Sequence, residues 1–197
     1  MTITAEQVKQ LRDMTGAGMM ECKKALSETA GDLNKAVDAL RKAGIAKAEK
    51  RADRAASQGR VESYVHDSRI GVLVEVNCET DFVARTDDFK GLCKDLAMQA
   101  AAANADYVVR EEVPAERIAR ERAIYAEQVT NEGKPATMTE RIVDGKLNKF
   151  YSEVCLMEQP FIKDDKQTIG ELVKAMSSRC GENIVVRRFV RFRLGAE

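Results

Sequence analysis

At Gly59 the spacing of apolar residues changes, and that change limits the class of fold open to the chain. Before it, apolar residues recur every three or four positions: Val8, Leu11 and Met14, then Met19, Cys22, Ala25 and Leu26, then Leu33, Ala36, Val37 and Leu40. Such spacing puts them on one face of a helix of about 3.6 residues per turn. After it, Val61 to His66 and Ile70 to Val76 follow a strand pattern, with Asp67-Ser68-Arg69 as the turn between them. The chain is therefore read as α+β, in which a small antiparallel sheet packs on helices. Three regions are expected: a three-helix module over 1–44, a solvated linker helix over 45–58, and a core domain over 59–197.

Local signals place most of the elements. Thr4 with Gln7 makes a capping box, and Ile3 against Val8 a hydrophobic staple. Gly16 ends the first helix, Gly18 opens the second and Gly31 stops it, and Asp32 caps the third, for which Gly44 is the expected stop. Asn77-Cys78-Glu79-Thr80-Asp81-Phe82-Val83-Ala84-Arg85 reads as a polar loop at the end of the buried run Ile70 to Val76. Thr86, Asp87 and Asp88 suit a helix cap, and Phe89, Leu92, Cys93, Leu96 and Ala100 form the stripe of the helix that follows. Pro114 opens a charged helix that runs to Glu132. Two more helices are expected, from Pro135 to about Val143 and from Lys146 to Cys155, and then a loop over 159–166. Thr168 with Glu171 caps the last helix, which ends at Gly181. In the closing strand Ile184, Val186, Val190, Phe192 and Leu194 share one face, and Arg187, Arg191 and Arg193 form a basic outer face. Arg188 and Phe189 break the alternation, the mark of a bulge or a strand end.

The chemistry on offer is narrow. The chain has 32 basic and 32 acidic residues, so no global field draws it to nucleic acid or to acidic membranes. There is no apolar stretch long enough to span a bilayer, and Met1 to Glu6 lacks the pattern of a signal peptide, so a cytoplasmic location is expected. The five cysteines, at 22, 78, 93, 155 and 180, contain no CxxC pair; they read as free thiols of a reducing compartment. His66, the only histidine, can serve as base to one of them at most. A cysteine-dependent enzyme and an RNA-binding factor, using the cations of 45–58 and the final arginine row, are the competing readings. Phe82 has two readings as well: packed in its own core beside a capping Asp81, or exposed as part of a wedge for another protein.

The stretch Asn77 to Arg85 resembles a signature of the bacterial elongation factor Ts family. Leu11-Arg12-Asp13-Met14-Thr15-Gly16-Ala17-Gly18-Met19-Met20-Glu21-Cys22-Lys23-Lys24-Ala25-Leu26 resembles a second, and Gly133-Lys134-Pro135 with Gln159-Pro160-Phe161 a third. The resemblance implies a UBA-like N-terminal module and a nucleotide exchange factor for elongation factor Tu, with no cofactor and no active site for bond-making. It implies that Arg12, Met19 and Met20 dock on the partner's nucleotide-binding domain. It implies that Thr80, Asp81, Phe82 and Val83 bind there too, the Asp-Phe pair disturbing the partner's magnesium site. Two departures stand out. Gln99 occupies a position where relatives often carry a histidine near the partner's phosphate loop. Only one copy of the core unit is evident, and short members of this kind resemble homodimers.

Overall fold

The computed structural model describes residues 3–133 and 135–196; Lys134, in the third motif, lies outside them. Two compact units make up the chain. One comprises Met1–Arg60, Val76–Leu92 and Glu171–Val185, the other Val61–Glu75, Cys93–Gly170 and Val186–Glu197.

The first unit begins with helices α1 (Ala5–Thr15), α2 (Met19–Glu28) and α3 (Leu33–Glu49). The capping box at Thr4 and Gln7 is formed, and Gly16 ends α1 at φ 68°, a left-handed conformation that glycine adopts without a Cβ clash. Asp32 caps α3 by accepting from Lys35 N at 3.1 Å. Val8, Leu11, Cys22, Ala25, Leu26 and Ala36 form the small core, with Ile3, Leu33, Val37 and Leu40 packed against it.

Gly44 does not stop α3, contrary to expectation. It lies inside the helix, where an added Cβ would come within 3.1 Å of Ser178 Oγ. The residue is small because helix α8 (Ile169–Cys180) crosses there. Arg41 pairs with Glu171 at 2.7 Å and Lys174 with Glu49 at 2.8 Å along the same contact. The linker helix expected over 45–58 is helical only to Glu49, and its side chains are not all solvated: Ala48 is buried, and Asn183 Nδ2 holds the carbonyls of Ala52 and Arg54 at 3.0 and 2.8 Å.

Strands β1 (Gln58–His66) and β2 (Ile70–Cys78) form the expected hairpin. Asp67 and Ser68 both take left-handed φ, 48° and 54°, the sense of the primed turns whose twist suits a hairpin. Gly59 is required by close approach, since a Cβ there would lie 2.1 Å from Val76 O. The closing strand β5 (Val185–Arg193) lies on the far side of β2, giving the order β1-β2-β5. Leu194 N donates to Arg69 O at 2.8 Å and Arg188 pairs with Glu75 at 2.7 Å, so β5 runs antiparallel to β2.

Helices α4 (Asp81–Arg85) and α5 (Asp87–Ala102) follow β2. In the second unit, α6 (Ala115–Asn131) and α7 (Ala136–Val154) pack as a helical hairpin around Val129, Val143 and Leu147. Gly133 turns the corner at φ 67°. Two helices were expected over 135–155, yet α7 is continuous through Gly145. Its buried residues Val143, Leu147, Phe150 and Val154 keep one helical stripe across the glycine, and tertiary packing outweighs a propensity loss of about 1 kcal/mol. The loop expected over 159–166 is instead a small antiparallel hairpin of β3 (Pro160–Phe161) and β4 (Asp164–Thr168).

Candidate functional site

The polar stretch after β2 forms a single turn of helix rather than a loop. Thr80 is extended, at φ −126° and ψ 156°, and its Oγ1 accepts from Val83 N at 3.4 Å, which starts α4. Thr86 closes it and opens α5 at once: its Oγ1 donates to Val83 O at 2.8 Å and accepts from Phe89 N at 3.3 Å. The cap expected at Thr86 is therefore formed. Ala84 is buried and ties α4 to the unit. Phe82 lies two residues away, about 200° round the helix, and so points outward. It is 80% exposed. Asp81 does not cap the turn; it pairs with Arg85 at 2.7 Å on the exposed side of the same turn.

A carboxylate from the end of α8 holds the entrance to α4. Glu182 Oε2 accepts from Glu79 N and Thr80 N at 3.0 Å each, and Oε1 accepts from Thr80 Oγ1 at 2.6 Å. Asn183 N donates back to Glu79 Oε1 at 2.6 Å, and Ser177 Oγ donates to Glu182 O at 2.6 Å. The sequence carries no local sign of this latch, because its two halves lie about a hundred positions apart.

The N-terminal candidates lie in the same compact unit. Arg12, Met19 and Met20 are all exposed, Met20 by 76%. Neighbours on a helix point about 100° apart, and the buried face of α2 is taken by Cys22, Ala25 and Leu26. Met14, expected in the buried stripe of α1, is exposed as well. That stripe ends at Leu11, and Gly16 turns the chain away a little beyond it.

Two of the buried cysteines are held as thiols. Burial, and then the nearby Glu182 carboxylate, push the Cys78 thiol up to about 11, and burial pushes Cys155 to about 11 as well. Thiols held there stay protonated near neutral pH. His66 Nδ1 lies 3.2 Å from Tyr64 Oη, within its own strand. Among the described residues, no three or more His, Cys, Asp or Glu side chains gather as a metal site. No helix among them is long and apolar enough to cross a membrane.

Gln99, the residue that departs from the family pattern, is 1% exposed. Its Nε2 donates to Gln159 Oε1 and Pro160 O, both at 3.2 Å, and its Oε1 accepts from Ile162 N at 2.9 Å. The side chain is committed to holding the β3–β4 hairpin.

The sheet has an uncovered face. Val72 and Val74 are buried, whereas Leu73 between them is exposed, as are Val61 and Val65 on β1 and Val190 and Phe192 on β5. The basic outer face expected on the closing strand is corrected here: the apolar residues Val190, Phe192 and Leu194 face solvent. Arg191 turns instead to the end of α5, donating to Ala103 O at 2.7 Å and Asn104 Oδ1 at 3.1 Å, where a cation complements the helix dipole. The buried parity shifts between Val186 and Phe189, where the sequence alternation breaks.

Comparison with known proteins adds the following. The family model described as Elongation factor TS matches residues 4–196. The chain is similar to Elongation factor Ts of Heliobacterium modesticaldum, at 58% identity over 98% of this chain and 90% of that protein. It is similar to that of Geobacter sulfurreducens, at 57% over 99% and 91%. The protein of the same name from Coprothermobacter proteolyticus is 57% identical over 99% of this chain and all of its own length.

Proposed function

Because the chain belongs to the elongation factor Ts family, we propose that it is a cytoplasmic guanine nucleotide exchange factor that promotes GDP release from elongation factor Tu. Arg12, Met19 and Met20 dock on the partner's nucleotide-binding domain. Thr80, Asp81, Phe82 and Val83 carry the exchange step, with Asp81 and Phe82 entering beside the partner's magnesium site. The observation that carries this reading is the exposure of Phe82: a large aromatic side chain on a one-turn helix is turned to solvent and does no packing in its own chain. Buried in a partner, such a residue is an anchor. No bond is made or broken in this scheme, and neither cofactor nor nucleic acid takes part. The factor and the nucleotide each weaken the other's hold on elongation factor Tu, a coupling that is reciprocal by linkage.

The uncovered sheet face supports the second half of the proposal, that the working form is a homodimer. Val61, Val65, Leu73, Val190 and Phe192 make an apolar surface that a second copy can cover by sheet-on-sheet packing.

The deciding measurement is release of fluorescent GDP from elongation factor Tu. Phe82→Ala should slow the stimulated rate by roughly thirtyfold, as expected for an anchor contributing about 2 kcal/mol. Its melting temperature should match wild type, because the ring is solvated. A variant that exchanges at full rate would refute the wedge.

A further inference from the structure

We propose that Glu182 is a positioning residue for nucleotide exchange, its carboxylate setting the orientation of α4 and so the direction in which Asp81 and Phe82 project. This rests on the reading of α4 as the exchange wedge. A helix of five residues has no stability of its own, and its ion pair, Asp81 to Arg85, is internal and would travel with it. Its direction is therefore fixed from outside, by Ala84 beneath and by the contacts at its two ends. At the C-terminal end Thr86 supplies a corner about which α4 can pivot.

At the N-terminal end Glu182 supplies the constraint. Its two oxygens take both backbone N–H groups that precede the helix and the hydroxyl of the cap itself. Hydrogen bonds to an ionised acceptor are the strong kind. They also set the cap's polarity. The Thr80 hydroxyl gives its only proton to Glu182 and so presents a lone pair to Val83 N.

Glu182 is itself held. Ser177 Oγ grips its carbonyl, and Asn183, next in the chain, ties Glu79 and the carbonyls of Ala52 and Arg54 to the same corner. The carboxylate adds no apolar contact to the small core of α1 to α3. Removing its charge while keeping its shape thus loosens the wedge and leaves the docking residues in place.

The test is stopped-flow release of fluorescent GDP from elongation factor Tu over a range of concentrations of the full-length protein. Glu182→Gln should lower the saturating rate about tenfold, with the half-saturating concentration within about twofold of wild type. Hydrogen exchange at the amides of Glu79, Thr80 and Val83 should quicken by about tenfold, with α1 unchanged. A wild-type saturating rate, or unchanged protection of those three amides, overturns the proposal. Should Glu182→Gln fail to fold, Glu182→Asp decides: it keeps the charge but draws the carboxylate one methylene back from Glu79 N, Thr80 N and Thr80 Oγ1. It should show the same fall in saturating rate, and a wild-type rate overturns the proposal. Phe82→Ala separates the two readings. If it is slow while Glu182→Gln is normal, only the latch is wrong; if it exchanges normally, the wedge is wrong and the latch falls with it.

Discussion

A buried glutamine is costly unless each of its polar atoms finds a partner, and Gln99 meets that condition by bonding to the hairpin beside it. Gln159, Ser177 and Asn183, enclosed as well, bond within the chain in the same way. The buried thiols follow the same physics. Burial pushes Cys78 and Cys155 up to about 11 in the folded chain, above the usual thiol range near 9. Their folded values are raised, so the stability they contribute is complete below pH 9 and is lost as pH rises towards 11, where only the unfolded chain releases the protons. Denaturation midpoints should accordingly fall between pH 8 and pH 10. The Cys78→Ala, Cys155→Ala double variant should lose less over that interval, which separates the thiols from other groups titrating there.

At the scale of elements, three glycines in helical surroundings play three different parts. Gly16 ends α1, Gly44 admits α8, and Gly145 does neither, because an added Cβ there meets nothing within 4 Å. Gly145→Ala should therefore stabilise the protein by about 0.5–1 kcal/mol, through the smaller entropy loss of alanine in a helix interior. A urea titration reads this as a higher midpoint at constant slope. An unchanged or lower midpoint would mean that the open space beside α7 is needed. The β3–β4 hairpin shows the opposite dependence: Asp164-Asp165-Lys166-Gln167-Thr168 has little strand character, and bonds from Gln99 support its partner strand.

At the scale of the whole molecule, the open sheet face is what the proposed dimer rests on. A face with Leu73, Val190 and Phe192 open to water, Phe192 by 69%, is poorly suited to an isolated chain. Phe192→Asp adds a charge to that face without touching any buried residue. It should leave a folded monomer in sedimentation at micromolar concentration, where the proposed working form of the wild type is a dimer. It should also lower exchange, although Asp81 and Phe82 are intact. A wild-type protein that sediments as a monomer and exchanges at full rate would remove the dimer from the mechanism.

The α+β class, the capped helices of the N-terminal module, the hairpin at Asp67 and Ser68, and the capping role of Thr86 were all legible in the sequence. Each depends on residues within a few positions of one another, where propensity and spacing act directly. The candidate residues could be named from the motifs alone, but the sequence left Phe82 between core and surface. Tertiary structure decided that, by burying Ala84 and turning the ring out. It also decided that α3 passes Gly44 and α7 passes Gly145, since a glycine stops a helix only where no packed stripe continues beyond it. It turned the apolar face of β5 to water and Arg191 inward, because burial depends on which side of the sheet the rest of the chain covers. The latch of Glu182 on Thr80 belongs to the same class: a bond between residues 102 positions apart leaves no periodic trace, and only the folded chain brings them together.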